Sequence, residues 1–157
     1  IGNSVTTIGY SAFQYCRSLT SVTIPDSVTT IGSDAFYWCD SLTGIWVSEG
    51  NASYSSDAYG VLFNKDERSL IKYPENKPGN KYSIPNGVRT IFDYAFRNYP
   101  EGMSVAIPKS MELISEKSFD NYNYPYQIEL LLKNAVVNDT LNLKENSNIA
   151  IEKINLD

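Results

Sequence analysis

Apolar residues return every 23 positions along the first part of the chain, and small or polar residues fill the intervals. The first unit aligns with the second at apolar positions throughout, with Val5, Ile8, Ala12, Phe13, Cys16, Leu19, Val22 and Ile24 falling on Val28, Ile31, Ala35, Phe36, Cys39, Leu42, Ile45 and Val47. The interval returns later, where Val88 aligns with Met111 and Ile107 with Leu130. A single unit cannot cover its own apolar face, so successive units must stack on one another.

Each unit contains a short alternating segment that predicts a β-strand with one buried face. Val22 and Ile24 carry this alternation in the first unit. A proline follows the segment in three units and would end the strand, because proline has no backbone N–H to donate; these are Pro25, Pro85 and Pro108. The polar residues before Phe36 then predict a tight turn that directs its ring inward.

The interval lengthens once, because 37 residues separate Ile45 from Tyr82. Within this long coil, residues 48–84, two extended runs flank a polar connection at 65–68 and predict a β-hairpin that projects from the coil. We therefore predict about five coils over residues 1–131. Residues 132–157 are predicted to be a capping segment, with the start of a following β domain as the alternative.

A fixed interval of this length is typical of a leucine-rich-repeat solenoid, a β-rich fold of the α/β horseshoe superfamily with a parallel β-sheet. One run reads Ile24-Pro25-Asp26-Ser27-Val28-Thr29-Thr30-Ile31-Gly32-Ser33-Asp34-Ala35-Phe36, closed by Cys39 and Ser41-Leu42-Thr43. It resembles the BspA-type leucine-rich repeat of bacterial surface proteins, and the long coil is similar to the hairpin-bearing variant. The resemblance covers residues 1–130 and implies a right-handed solenoid, secretion, adhesion to host proteins or other cells, and no catalytic residues.

Composition argues against several other classes of function. The chain has no histidine, which removes the commonest general base and metal ligand. A scattered net charge of −5 disfavours nucleic-acid binding, and no apolar run is long enough for membrane insertion. The best catalytic candidates are the carboxylates Asp57, Asp66, Glu67 and Asp120, which lack a paired acid–base pattern. We predict a monomeric, non-catalytic protein without a metal or cofactor.

Candidate binding residues are the strand side chains that alternate with the buried ones, since these form outward columns across the sheet. One predicted column contains Thr23, Trp46, Ser83, Ala106 and Glu129, and its neighbour contains Ser21, Gly44, Lys81, Ser104 and Gln127. Trp46 is the large aromatic among small and polar groups, and tryptophan is enriched in binding hot spots. The alternative is that the hairpin, or the loop at 48–59, covers Trp46.

Two further features of the sequence leave alternatives open. Cys16 and Cys39 lie one interval apart, which predicts stacked buried thiols, with a disulfide as the alternative. Asn51 begins a glycosylation sequon that we expect to be idle in a bacterial protein. Because the chain begins in the middle of a repeat, we expect it to be part of a longer protein.

The favoured function is binding of a host matrix or cell-surface protein by a secreted or cell-surface bacterial protein, through the sheet face and the hairpin. A polysaccharide-active or glycan-binding β-solenoid is the first alternative. It is disfavoured because the predicted columns are rich in serine, threonine and glycine rather than clustered charges. A passive spacer is the third interpretation.

Overall fold

The computed structural model describes residues 1–99, 103–114, 117–119, 128–132 and 149–152. Within these ranges the chain forms thirteen short β-strands and no helix. The strands are β1 (Thr7–Ile8), β2 (Ser21–Ile24), β3 (Thr30–Ile31), β4 (Gly44–Val47), β5 (Tyr54–Ser56), β6 (Leu62–Asn64), β7 (Ser69–Lys72), β8 (Lys81–Ser83), β9 (Thr90–Ile91), β10 (Ser104–Ile107), β11 (Leu113–Ile114), β12 (Ile128–Leu132) and β13 (Ile149–Glu152).

Successive coils stack as parallel strands on two faces, which confirms the predicted solenoid. The first face carries the pair β2 and β4 and the four-stranded sheet β8, β10, β12 and β13. The second face carries the pair β1 and β3, and a five-stranded sheet in the order β11, β9, β7, β6, β5. Every pairing between successive regular coils is parallel, as stacking of similar coils requires.

The alternation along the strands places apolar side chains inside, as predicted. In β2, Val22 and Ile24 are buried, whereas Thr23 between them is exposed. Aromatic rings continue the stacking behind the strands: the centroids of Phe13 and Phe36 lie 5.5 Å apart with nearly parallel planes. Rings at this spacing match the separation of neighbouring strands, so each coil covers the ring of the one before it.

The turns behind the strands also stack through backbone hydrogen bonds. Phe13 N donates to Ala35 O at 2.8 Å in the first two coils, and Phe96 N donates to Ser118 O at 2.8 Å further on. Three of these turns use left-handed backbone at positions four residues apart: Ser11 and Tyr15, Asp34 and Trp38, and Tyr94 and Asn98. The shared geometry lets the turns nest on one another.

The hairpin exists, but the prediction that it projects from the coil is wrong. Strands β6 and β7 pair antiparallel, and β7 then pairs parallel with β9 as a member of the second face. Leu62, Phe63 and Leu70 are all fully buried. Because apolar side chains follow one another in β6, both of its faces are apolar and both are buried within the solenoid. Only the turn of the hairpin, residues 65–68, is exposed.

Strand β6 divides the hydrophobic core into two clusters. Leu62 packs with the cluster formed by the first two coils, whereas its neighbours Val61 and Phe63 pack with the cluster of the later coils. Successive side chains of a strand point to opposite faces, so one strand serves both clusters. In the second cluster Tyr73 continues the ring column, stacking on Phe96 at 5.1 Å.

The sheet of the first face is interrupted at the long coil. Ile24 pairs with Val47 as predicted, but β4 does not pair with β8. The end of β5 and the turn before β6 take its place, because Val47 N donates to Ser56 Oγ at 3.0 Å and Ile45 N donates to Gly60 O at 2.9 Å. These two acceptors satisfy the edge of β4 that a regular coil would have covered.

The register at β12 differs from the 23-residue alignment. Val105 pairs with Leu130 rather than Ile128, so this coil is two residues longer than predicted. An even shift keeps the alternation of faces, and residues 128–132 alternate equally well in either register, so the sequence pattern does not distinguish them. Beyond it, β13 pairs parallel with β12 within the segment predicted as a cap.

Asn51 anchors the long coil to the coil before it. Its side chain is fully buried and donates from Nδ2 to Pro25 O at 2.7 Å and to Val28 O at 2.9 Å. Its Oδ1 accepts from the backbone N–H groups of Ser53 and Tyr54. All of these hydrogen bonds of the Asn51 side chain join the two coils or stabilise the turn, so this sequon residue has a structural role.

Candidate binding surface

Trp46 is partly exposed, and its indole ring packs against Gly44 and Gly60, two glycines that we call its seat. Its side chain is 42% exposed on the first face, so neither the hairpin nor the loop at 48–59 covers it. A Cβ at Gly44 would lie 2.9 Å from Cε2 and Nε1 of the indole, so the ring lies directly over this glycine. Gly60 approaches from the other side, since a Cβ there would be 2.8 Å from Gly44 Cα and 3.3 Å from Trp46 Cζ2.

A second exposed aromatic residue, which the sequence interpretation missed, directly precedes Gly60 in the chain. It is Tyr59, which is 61% exposed. The ammonium of Lys77 lies 4.8 Å from the centre of the Tyr59 ring, within cation–π range. We call Trp46, Tyr59 and Lys77 the aromatic patch. The signal was available in the sequence, because Tyr59 lies between Asp57 and Gly60, residue types that favour turns at the surface.

Asp57 holds the turn that presents Tyr59. Its Oδ1 accepts from Tyr59 N and Val61 N at 2.9 Å each, and its Oδ2 accepts from Tyr82 Oη at 2.7 Å. Burial, together with the neighbouring carboxylate of Asp57, raises the pKa of Tyr82 well above its ordinary value, so the phenol stays protonated and keeps donating. Asp57 therefore has a structural role that accounts for its position.

Three of the other predicted column residues are exposed on the first face. Thr23 pairs with Trp46 and Ser21 with Gly44, and both Ser21 and Thr23 are exposed. Lys81 is likewise exposed, and its strand pairs with β10 at Ser104. The aromatic patch therefore has small hydroxyl side chains beside it on the same face.

Three of the predicted neighbour assignments within the columns are wrong, and one residue lies outside the described residues. Glu129 pairs with Ser104 rather than with Ala106, because the coil before it has two extra residues. Trp46 and Ser83, and likewise Gly44 and Lys81, are not neighbours in one sheet, since β4 and β8 do not pair. Ser83 itself is exposed on β8. Gln127 lies outside the described residues.

Two of the remaining candidate carboxylates, Asp66 and Glu67, lie exposed in the hairpin turn. Asp120 is outside the described residues. Across the ranges that the structure describes, no group of three histidine, cysteine or acidic residues is arranged to hold a metal ion. The same ranges contain no helix that could cross a membrane.

The two cysteines are free thiols on adjacent coils. Cys39 is fully buried and its Sγ donates to Phe13 O at 3.1 Å, while Cys16 is half-buried. Burial, with a further contribution from the carboxylate of Glu75, raises the pKa of the Cys39 thiol to about 11. A protonated, buried thiol packs as a small apolar group, in agreement with the predicted thiol stack.

A buried ion pair marks the position where the long coil meets its neighbours. Lys72 Nζ lies 3.1 Å from Glu75 Oε1, and both side chains are almost fully buried. Lys72 Nζ also donates to Tyr94 O, and Asn98 Nδ2 donates to Glu75 Oε2. Lys72 and Tyr94 also line one side of a cleft between the second coil, the hairpin and the coil after it.

The stacked coils, parallel strands and inward ring column define a leucine-rich-repeat solenoid. Six copies of the BspA type Leucine rich repeat region match residues 1–67 and 73–154. The chain belongs to the BspA-type leucine-rich-repeat family, which confirms the resemblance that the sequence indicated and extends it beyond residue 130.

Three solved structures share this fold. A leucine rich cell surface protein from Faecalibacterium prausnitzii is 35% identical over 75% of this chain and 31% of its own, with a TM-score of 0.64. The pneumococcal vaccine antigen PcpA is 33% identical over 71% of this chain and 27% of its own, with a TM-score of 0.63. A leucine-rich repeat protein from Eubacterium ventriosum is 31% identical over 73% of this chain and 36% of its own, with a TM-score of 0.61.

The chain thus spans about a quarter to about a third of the length of these solved chains. No curated protein matches it.

Proposed function

We propose that this chain is a non-catalytic, macromolecule-binding module of a secreted or cell-surface bacterial protein, and that it engages a protein ligand through the aromatic patch on its first face. The family and the cell-surface protein among its structural relatives support the location. The observation that carries the binding proposal is Trp46, 42% exposed and fixed on its glycine seat.

The seat matters because it packs one side of Trp46 against the backbone before any ligand arrives. The indole lies against Gly44 and Gly60, while the rest of the ring stays accessible. A partner that covers a ring already held in place loses little additional conformational entropy on binding. Large aromatic side chains with this property are enriched among the residues that dominate interface energies.

The surroundings of the patch favour a protein ligand. Ser21 and Thr23 are short, exposed hydroxyl residues beside Trp46, and Lys81 adds a long cation on the same face. A flat surface with a central aromatic residue and a polar rim is typical of protein–protein interfaces. In this proposal the module acts as a monomer and uses no metal or cofactor.

A glycan is the second candidate, because Trp46 and Tyr59 are exposed rings that can stack on the apolar face of a sugar. The passive spacer is the alternative in which the patch binds nothing. The three possibilities differ in what they bind, so a single set of ligands separates them.

The test measures binding of the chain to immobilised fibronectin, laminin and collagen and to an array of glycans. We expect saturable binding to a protein, weakened about tenfold or more by Trp46→Ala, as for a hot-spot residue. Leu113→Ala is the matched control, because Leu113 is an exposed apolar residue of the second face. It should change binding less than about twofold.

Equal binding by the two variants would remove Trp46 from the interface. Binding to glycans alone would establish the second candidate, and binding to neither class would favour the spacer.

A further inference from the structure

A cleft of about 510 Å³ lies where the long coil leaves out part of the turn that regular coils contain. In the coil that follows, Phe96 comes five residues after Ile91. In the long coil, Leu70 pairs with Ile91, but Tyr73, which stacks on Phe96, comes only three residues later. The long coil therefore takes a shorter path, and the turns on either side of it face each other across a space.

Contacts between the two flanking turns close one end of this space. The rings of Tyr37 and Tyr94, from coils that are not consecutive, lie 6.4 Å apart. The guanidinium of Arg97 lies 4.1 Å from the centre of the Tyr37 ring, and Arg97 as a whole is only 3% exposed. The cleft is thus a fixed feature of the stacking, held by side chains from both sides.

The floor of the cleft is apolar. Phe36 and Leu62 are buried at its base, Ile71 is half-buried, and Phe92 lies at the mouth with 46% of its surface exposed. Its volume falls within the range of about 300 to 1,000 Å³ that is usual for ligand pockets. An apolar floor of this size suits a bulky apolar side chain rather than a sugar, whose hydroxyl groups would need partners there.

The charge at the cleft is suited to a cation. Asp34, Lys72 and Asp93 are the charged residues that line it. Lys72 is already engaged by Glu75, whereas none of the salt bridges within the described residues involves Asp34. Asp34 is only half-buried, so its carboxylate is accessible to a ligand.

We propose that the cleft is a second binding site, which takes a peptide segment of a protein partner with a bulky apolar side chain on the floor and an adjacent lysine or arginine against Asp34. The site is separate from the aromatic patch and goes beyond the function proposed above. Its occupant is selected by shape and by charge, since the apolar side chain fills the floor and the cation meets the carboxylate.

The test is an NMR titration of the whole chain with the blocked peptide acetyl-Ala-Phe-Arg-Ala-amide. We expect saturable shifts at the amides of Ser33, Asp34 and Phe92, with a dissociation constant on the order of millimolar for so small a ligand. Peptides with glutamate in place of arginine, or alanine in place of phenylalanine, should bind at least about threefold more weakly.

Two variants locate the site on the protein. Asp34→Asn keeps the shape and the left-handed backbone at φ 56°, which asparagine tolerates, and should weaken the arginine peptide about two- to fivefold. Ser33→Trp should obstruct the mouth and abolish saturation. Asp66→Asn is the matched control, because it removes an equal charge from the exposed hairpin turn, outside the cleft, and should leave binding unchanged.

The proposal is overturned if no peptide gives saturable shifts, if the glutamate peptide binds as well as the arginine peptide, or if the shifts fall at Trp46 instead. It is also overturned if Asp34→Asn and Asp66→Asn behave alike. Shifts at Trp46 would point to the aromatic patch instead, and the other outcomes do not bear on that patch, whose own test uses different ligands and a different variant.

Discussion

The second coil and the long coil are neighbours in the stack, but their paths behind the strands differ. In the second coil the turn behind the strands nests on its predecessor, and the surface that it forms is regular and closed. The long coil adds a hairpin on one side and shortens the turn on the other, and the aromatic seat, the cleft and the buried ion pair all lie where it meets its neighbours. Candidate sites in this repeat protein thus arise where the repeat is broken.

The largest expected effect comes from breaking the buried pair of the long coil. Lys72→Met should lower the free energy of unfolding by about 3 to 5 kcal/mol, because it leaves the Glu75 carboxylate buried without its cation. Urea denaturation measures this change. In the double variant with Glu75→Met, most of the loss should be recovered, since no charge then remains buried.

Arg89→Met is the control for that experiment, because it removes an exposed pair between regular coils. Arg89 Nη1 lies 2.9 Å from Glu112 Oε1, with about half of each side chain exposed. Arg89→Met should therefore lower the free energy of unfolding by at most about 1 kcal/mol. A loss as large as that of Lys72→Met would mean that burial does not distinguish the two regions.

A smaller loss of unfolding free energy is expected from removing the Asn51 side chain, which joins the second coil to the long coil. Asn51→Ala leaves two backbone carbonyls and two backbone N–H groups without their partner, so we expect a loss of about 3 kcal/mol in thermal or urea unfolding. Asn76→Ala, at an exposed position of the same coil, should change stability by less than about 0.5 kcal/mol. Similar effects at both sites would show that the four hydrogen bonds contribute little.

The smallest expected effect is at the aromatic seat. Gly44→Ala places a methyl group 2.9 Å from the indole of Trp46, so the ring must move outward. We expect a loss of about 1 kcal/mol and a tryptophan emission shifted to longer wavelength as the ring gains solvent. Gly2→Ala has no atom within 4 Å and serves as the control. An unchanged emission spectrum in Gly44→Ala would contradict the close seat.

The strand faces and the inward rings could be predicted because they depend on local periodicity. The alternation of Val22, Thr23 and Ile24 decides which side chain is buried, and the recurrence of Phe13 at Phe36 decides which rings stack. The embedded hairpin was also signalled by the consecutive apolar residues 61–63, which indicate a strand buried on both sides.

The seat and the cleft depend instead on approaches between segments far apart in sequence. Gly44 and Gly60 are sixteen residues apart, and nothing in their local sequence says that their backbones touch. Likewise Tyr37 and Tyr94 meet only because the segment between them takes a short path. A periodic pattern predicts what each coil does by itself, and these sites lie between coils.

The contact between Tyr37 and Tyr94 has a consequence for how such a protein can change its length. Where each coil touches only its immediate neighbours, duplication of one unit leaves the contacts within the other units intact. The long coil is spanned by a contact between the coils on either side of it, and a second copy of the long coil inserted there would separate that pair. The molecule can therefore grow by adding regular coils away from this region, whereas repeating the long coil would break the contact that spans it.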